Sequence, residues 1–312
     1  IFKQCWNFAE SPIIIVENEN DLEIYNGFDY IIKDKSLSKL NNDDNRINYI
    51  SLISGKYFEN TKDIFEKKNT KLDKNLLKNK KETREKLLKL NIDTHIANSL
   101  IGRLIFIRYL IDRNVALGFE NIHKALTKKD LKDILDSRER TYNLFRYLKS
   151  DDAFNGDWFP IDEEKEKIVN NKHLLILKNL ISGYDFKKNQ GSLFDIYDFS
   201  IIPIEFISNV YESFIGDENQ KKDGAYYTPS FLVDYILKYT VDNYFKNNPN
   251  EYNCKVLDPA CGSGIFLVET LRKLVSQYEK VMNESITSEQ IIKLVKDNIF
   301  AIDKNEEALN IS

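Results

Sequence analysis

The chain has 312 residues, of which 42% are hydrophobic and 30% charged, and a formal net charge of −4. That length and apolar content can supply the cores of two or three domains, and they exclude a disordered or fibrous chain. The acidic balance excludes a uniformly basic nucleic-acid module, so a contact with DNA would need local basic patches.

No run of 18 apolar residues and no signal-peptide pattern occur, which points to a cytoplasmic protein with no membrane partner. Cys5, Cys254 and Cys261 form no C-x-x-C pair and are odd in number, as suits a reducing compartment without disulfides or zinc. His95, His123 and His173 are scattered, and no metal site is expected from them. The chain begins with Ile1 and its single methionine is Met282, so it is expected to be a piece of a longer protein.

Residues 1–58 read as a small α+β domain. Ile13 to Val16 forms a strand, Glu17 to Asp21 a polar turn and Leu22 to Tyr25 the partner strand, with a further turn at Asn26-Gly27. Residues 59–91 read as a basic helical linker. Between 60 and 90 eleven Lys/Arg stand against five Asp/Glu, densest at Lys78-Asn79-Lys80-Lys81. A solvated linker is the favoured reading of that run, and a contact with a DNA backbone is its alternative.

From 92 to 215 the periodicity is helical. Ile96, Leu100, Leu104, Ile107 and Ile111 form one apolar stripe, and Arg103, Arg108 and Arg113 on the same helix read as snorkelling residues. Asn155-Gly156 signals a turn beside Phe154, Trp158 and Phe159, which need burial. A helix follows from Ile204 through Phe214, and Gly216 to Asp223 reads as a polar surface loop. Thr228 suits an N-cap and Pro229 a first helical position, opening a helix with Phe231, Leu232, Tyr235, Ile236 and Tyr239 on one face.

The most informative stretch is Lys255 to Leu267. A β-branched apolar run ends on Asp258, passes through Pro259-Ala260-Cys261-Gly262-Ser263-Gly264, and re-emerges at helical spacing in Leu267, Leu271, Leu274, Val275 and Tyr278. The pattern is a strand, a tight loop and a helix. Gly262 and Gly264 permit positive φ and close approach of a ligand, and the helix start offers N–H groups to an anion such as a carboxylate. Asp258 falls at the carboxyl end of its strand, where open α/β sheets bind ligands.

Spacing separates the nucleotide-type ligands. The third glycine of G-x-G-x-x-G is replaced by Leu267, and the acid expected about 20 residues on is absent, the next strand-like run being Ile299-Phe300-Ala301-Ile302-Asp303. NAD is disfavoured. No Gly-Lys-Ser/Thr follows, so a P-loop is disfavoured as well. Two strands ending in Asp258 and Asp303 leave room for an adenosine-like group whose ribose hydroxyls bond the second acid. Asp303 also suits an N-cap, and the two roles are compatible. Cys261, with no histidine near it in sequence, reads as a small packing residue of the loop.

These residues resemble the N6-adenine DNA methyltransferases of the gamma arrangement, and the wider pattern resembles fused restriction-modification enzymes of type IIG. Asp258-Pro259-Ala260-Cys261-Gly262-Ser263-Gly264, with Phe266 after it, is similar to their S-adenosylmethionine loop. Asp303 is similar to their ribose-binding acid, and Gly224-Ala225-Tyr226-Tyr227-Thr228-Pro229, about 30 residues before the loop, to the segment that packs on the cofactor. The resemblance implies a multidomain α+β and α/β chain. Residues 1–58 would be the remnant of a nuclease-like domain, 59–91 the linker, 92–215 a helical connector, and 216–312 the first half of a Rossmann-like methyltransferase domain. The connector's helix around Phe106 and Tyr109, Phe154 to Phe159, Leu193 to Pro203 and Tyr211-Glu212 are similar to recurrent segments of that family.

The resemblance further implies a site-specific adenine methyltransferase of a restriction-modification or defence system, with S-adenosylmethionine as cofactor and double-stranded DNA as substrate. In that family a flipped adenine is held by an Asn/Asp-Pro-Pro-Tyr motif. The six prolines here are never adjacent, so no catalytic residue is expected within the chain and the motif is expected beyond Ser312. Mg2+ is expected only with an upstream nuclease centre, since no Glu-x-Lys in a strand is found. The alternatives are a non-catalytic DNA-binding or scaffold component of a defence system, and a methyltransferase acting on something other than DNA.

Overall fold

A computed structural model of the protein describes residues 1–9, 11–19, 21–31, 34–41, 44, 46–65, 71–121, 125–150, 161–182, 196–202, 228, 230–262 and 264–304. The chain divides into two compact units, Ile1–Gly156 with Pro160–Pro203, and Asp157–Phe159 with Ile204–Ser312. The segments at Phe154 to Phe159, Leu193 to Asp195 and Ile204 to Tyr227, singled out from sequence, lie outside the described residues.

In the first unit, α1 (Phe2–Phe8) precedes a three-stranded antiparallel sheet of β1 (Ile13–Glu17), β2 (Leu22–Ile31) and β3 (Ser36–Lys39), in the order β1-β2-β3. The hairpin pairs Ile14 with Tyr25 and Glu17 with Leu22. Asn26-Gly27, expected as a turn, lies instead inside β2, at the start of an irregularity in its pairing with β3. Asn26 is buried, donating its amide to the Ile64 carbonyl and accepting from the Phe28 N–H. A Cβ on Gly27 would come within 1.9 Å of the Ser11 carbonyl oxygen, so the glycine serves close backbone approach inside a strand rather than chain reversal.

Three short helices follow, α2 (Tyr49–Ile53), α3 (Lys56–Asn60) and α4 (Lys62–Phe65). The body of the unit is α5 (Leu72–Lys89), α6 (Thr94–Asp112), α7 (Lys128–Ile134), α8 (Arg138–Lys149) and α9 (Asn171–Ile181). Asp93 caps α6 by accepting from the His95 N–H, and the stripe Ile96, Leu100, Leu104, Ile107 and Ile111 is buried as its spacing requires. The stretch expected as a solvated linker contains α5, which packs on α6 and α9. Leu72, Leu76, Thr83 and Leu87 are buried along it.

Arg103 and Arg108 differ from the snorkelling expectation, whereas Arg113, at the C-cap of α6, is exposed. Arg103 pairs bidentately with Glu166 at 2.6 and 2.9 Å, and the Tyr142 hydroxyl donates to the same carboxylate. Arg108, wholly buried, binds Asp112 at 2.8 Å and donates to the carbonyls of Ile181 and Tyr197. Both charges are therefore compensated inside the core, where a guanidinium fork satisfies several acceptors at once.

The second unit contains α10 (Ser230–Tyr239), α11 (Val241–Asn247), β4 (Val256–Asp258), α12 (Ile265–Met282), α13 (Ser288–Asn298) and β5 (Ile299–Ala301). β4 and β5 are parallel neighbours, with Val256 opposite Ile299 and Asp258 opposite Ala301, and α12 and α13 supply the crossover that parallel strands need. Val233, Leu237, Val241, Phe245, Ile265, Leu274, Tyr278 and Leu294 form the core. The face of α10 that carries Phe231, Leu232, Tyr235, Ile236 and Tyr239 is exposed, while Val233 and Leu237 are buried. Among the described residues no helix is long and apolar enough to cross a membrane.

Candidate functional site

β4 delivers Asp258 to the start of the glycine loop, and the loop folds back on the adjoining strand. The Ile302 N–H donates to the Asp258 carbonyl at 2.9 Å, and the Ile302 carbonyl accepts from the Cys261 N–H at 3.1 Å. Ile302 thus extends the two-stranded pairing past the end of β5 and into the loop. Its role was not visible in the sequence beyond its membership of the apolar run before Asp303.

Side chains and turns complete the loop. Asp258 accepts from the Ala260 N–H through Oδ1 at 3.1 Å, and the Gly264 N–H donates to the Cys261 carbonyl at 2.8 Å. Gly262 and Gly264 have φ of 51° and 85°, the left-handed region that side chains disfavour. Gly264 is the N-cap of α12 and supplies no side-chain acceptor. Apart from that helix start, the loop's amides at Ala260, Cys261, Gly262 and Gly264 bond within the protein.

Asp303 meets the loop directly. Its Oδ2 accepts from the Gly262 N–H at 2.8 Å. The two acids expected at one site are therefore brought to one place, Asp258 before the loop and Asp303 against its middle glycine. Asp258 Oδ2 is buried and has no hydrogen-bond partner among the described residues, an acceptor that a ligand donor can satisfy. Cys261 is buried, Phe266 is half-buried against the core at the first turn of α12, and Pro259 and Ala260 are exposed at the rim.

The upstream part of the expected site is described at one residue. Thr228, half-buried, lies two residues before the start of α10; Tyr226, Tyr227 and Pro229 lie outside the described residues. Among the described residues no cluster of His, Cys, Asp and Glu able to hold a metal ion occurs.

The buried acceptor of Asp258, the strand-end acids and the side-chain-free glycines fit a ligand that carries hydroxyl or ammonium donors and a carboxylate, as S-adenosylmethionine does. Residues 203–310 match the family described as N-6 DNA Methylase. A Methanocaldococcus jannaschii protein named as a type II restriction enzyme and methyltransferase, RM.MjaORFECS2P, is 23% identical, the match covering 68% of this chain and 24% of that protein. The Escherichia coli type II restriction enzyme and methyltransferase RM.Eco57I is 24% identical over 57% of this chain and 18% of its own length. The chain thus spans a quarter or less of the curated relatives it matches. No solved structure matches it significantly. The segment 203–310, which holds β4, the glycine loop and β5, is the part of the chain that matches the N-6 DNA methylase family, and the chain is similar to type II restriction enzyme and methyltransferase proteins.

Proposed function

We propose that the protein works as a site-specific DNA adenine-N6 methyltransferase of a restriction-modification or defence system, and that this chain binds its S-adenosylmethionine. The observation that carries the reading is the meeting of Asp303 Oδ2 with the Gly262 N–H at 2.8 Å, beside the buried, unpartnered Asp258 Oδ2. Bound there, the cofactor would supply a methyl group already activated on a sulfonium.

The chain's own residues bind and orient. Asp258 offers its buried oxygen to a donor of the ligand, and the start of α12 offers N–H groups to its carboxylate. Asp303 braces the loop and stands where ribose hydroxyls approach, at the end of the second strand. Cys261 and Phe266 pack the loop and the first turn of α12 against the protein, and Pro259 and Ala260 stay exposed. Tyr226, Tyr227, Thr228 and Pro229 would pack against the cofactor, as the resemblance of their segment implies. The polar work of transfer to a flipped adenine belongs to residues outside this set.

The first unit fits the nuclease-like remnant and helical connector of the fused enzymes, with α5 as part of the connector's packed body rather than a free linker. Double-stranded DNA is the substrate in this reading, the cytoplasm the location, and Mg2+ enters only with a nuclease centre. Calorimetric titration with S-adenosylmethionine tests the site. Asp258→Ala is expected to weaken binding by about 10- to 100-fold, the effect of losing a hydrogen bond to a charged group; equal affinity in the variant would refute the assignment.

A further inference from the structure

The outward face of α5 is unused by the cofactor site. Within Leu72–Lys89 seven lysines and arginines stand against three acids, in a chain whose net charge is −4. The helix buries Leu72, Leu76, Asn79, Thr83 and Leu87, which turns Lys74, Lys78 and Lys81 to the opposite side. These recur at i, i+4 and i+7, within one narrow sector and ~6 and ~4.5 Å apart along the axis. Lys74 and Lys81 are exposed and Lys78 is half-buried. Lys80, inside the densest basic run, is only 4% exposed and does not belong to the stripe.

The stripe is also unmatched. Several other surface cations in the unit have acids at hand: Arg46 with Asp44, Arg140 with Glu120, Arg146 with Glu163, and Lys178 with Asp136. Lys74, Lys78 and Lys81 have no ion-pair partner among the described residues. Three ammonium groups in a row on a packed helix, with no ion-pair partner among the described residues and with the exposed Glu85 next in the same sector, form a local positive ridge. A duplex presents one phosphate per ~1.7 Å of axis, so a row of this length meets several.

We propose that Lys74, Lys78 and Lys81 on α5 bind the phosphate backbone of double-stranded DNA; the proposal rests on the methyltransferase reading for the identity of the polyanion. The contact reads no sequence, since phosphates carry none, and it contributes affinity and orientation. Each phosphate neutralised adds about 0.9 to the slope of log K against log salt.

The test is anisotropy of a labelled DNA duplex titrated with the full chain over a range of salt. Lys74→Gln/Lys78→Gln/Lys81→Gln, which keeps good helix formers in α5, is expected to lower the slope by about 2 to 3. Lys74→Arg/Lys78→Arg/Lys81→Arg is expected to keep the original slope, as is a control that neutralises the exposed Lys172, Lys238 and Lys293. An unchanged slope in the glutamine variant, an equal loss in the control, or no duplex binding by the unsubstituted chain would overturn the proposal. S-adenosylmethionine binding, measured separately by calorimetry, keeps the two readings apart. Normal cofactor affinity with an unchanged slope rejects the stripe alone, and no cofactor affinity rejects the methyltransferase site while the slope still decides the stripe.

Discussion

Gly262 donates its backbone N–H to Asp303 Oδ2 at 2.8 Å, so the acid that ends one strand braces the loop that follows its neighbour. Ligand affinity and loop order are consequently coupled through Asp303. Asp303→Ala is expected to weaken S-adenosylmethionine binding by about 10-fold or more, from loss of a charge-assisted bond and of a ligand acceptor. Asp303→Asn, which retains an acceptor oxygen for Gly262, should fall between the two. Calorimetry on the three proteins checks the order, and an Asn variant as weak as Ala would contradict the bracing role.

The two kinds of glycine in the first unit should respond differently to a methyl group. Gly55 has φ of 76° and nothing within 4 Å of a built Cβ, so Gly55→Ala carries backbone strain only, about 1 kcal/mol. Gly27→Ala meets the Ser11 carbonyl oxygen at 1.9 Å and must move backbone. A cost of about 1–3 kcal/mol beyond the loss of glycine's freedom is expected. Urea unfolding midpoints of the two variants measure the difference, and Gly27→Ala equal to or milder than Gly55→Ala would contradict it.

The Arg103–Glu166 pair predicts an asymmetry. Arg103→Met leaves a carboxylate that is 2% exposed without its guanidinium, and about 3–5 kcal/mol of stability should be lost. Arg103→Met with Glu166→Leu removes both charges and should be less damaging than the single change, although Tyr142 then loses its acceptor. A double variant less stable than Arg103→Met would argue that packing, not charge compensation, sets the cost.

The capping box of α7 gives an acid-sensitive contribution. The Thr127 hydroxyl, and then its backbone N–H, hold the Asp130 carboxyl below the usual aspartate range. A depressed folded pKa stabilises above the unfolded value near pH 4 and is lost as pH falls through the folded value. Asp130→Asn should therefore lower stability at neutral pH and flatten its dependence on pH in the acid range. Parallel acid dependence in both proteins would contradict the cap.

Some of this was readable before the fold. The α6 stripe has clean helical phase, and the run into Asp258 followed by two glycines has few other local solutions, so both elements could be placed from sequence. The face of α10 could not, because Phe231, Leu232, Val233, Tyr235, Ile236, Leu237 and Tyr239 surround the helix with apolar groups and leave its phase undetermined. Asn26-Gly27 matched a turn chemically, yet long-range contacts to Ile64 and Ser11 hold it in a strand. Arg103 and Arg108 face the core because their partners, Glu166, Ile181 and Tyr197, are far away in the chain. The Asp258–Asp303 convergence depended on one parallel pairing, and the sequence supplied both ends of it.

The most direct test of the central claim is modified-base sequencing of plasmid DNA from cells expressing the intact gene and, in parallel, its Asp258→Ala version. The account predicts N6-methyladenine at one short motif with the intact gene and its loss in the variant. A folded, expressed protein that leaves adenine unmethylated, or methylation that persists in Asp258→Ala, would contradict it.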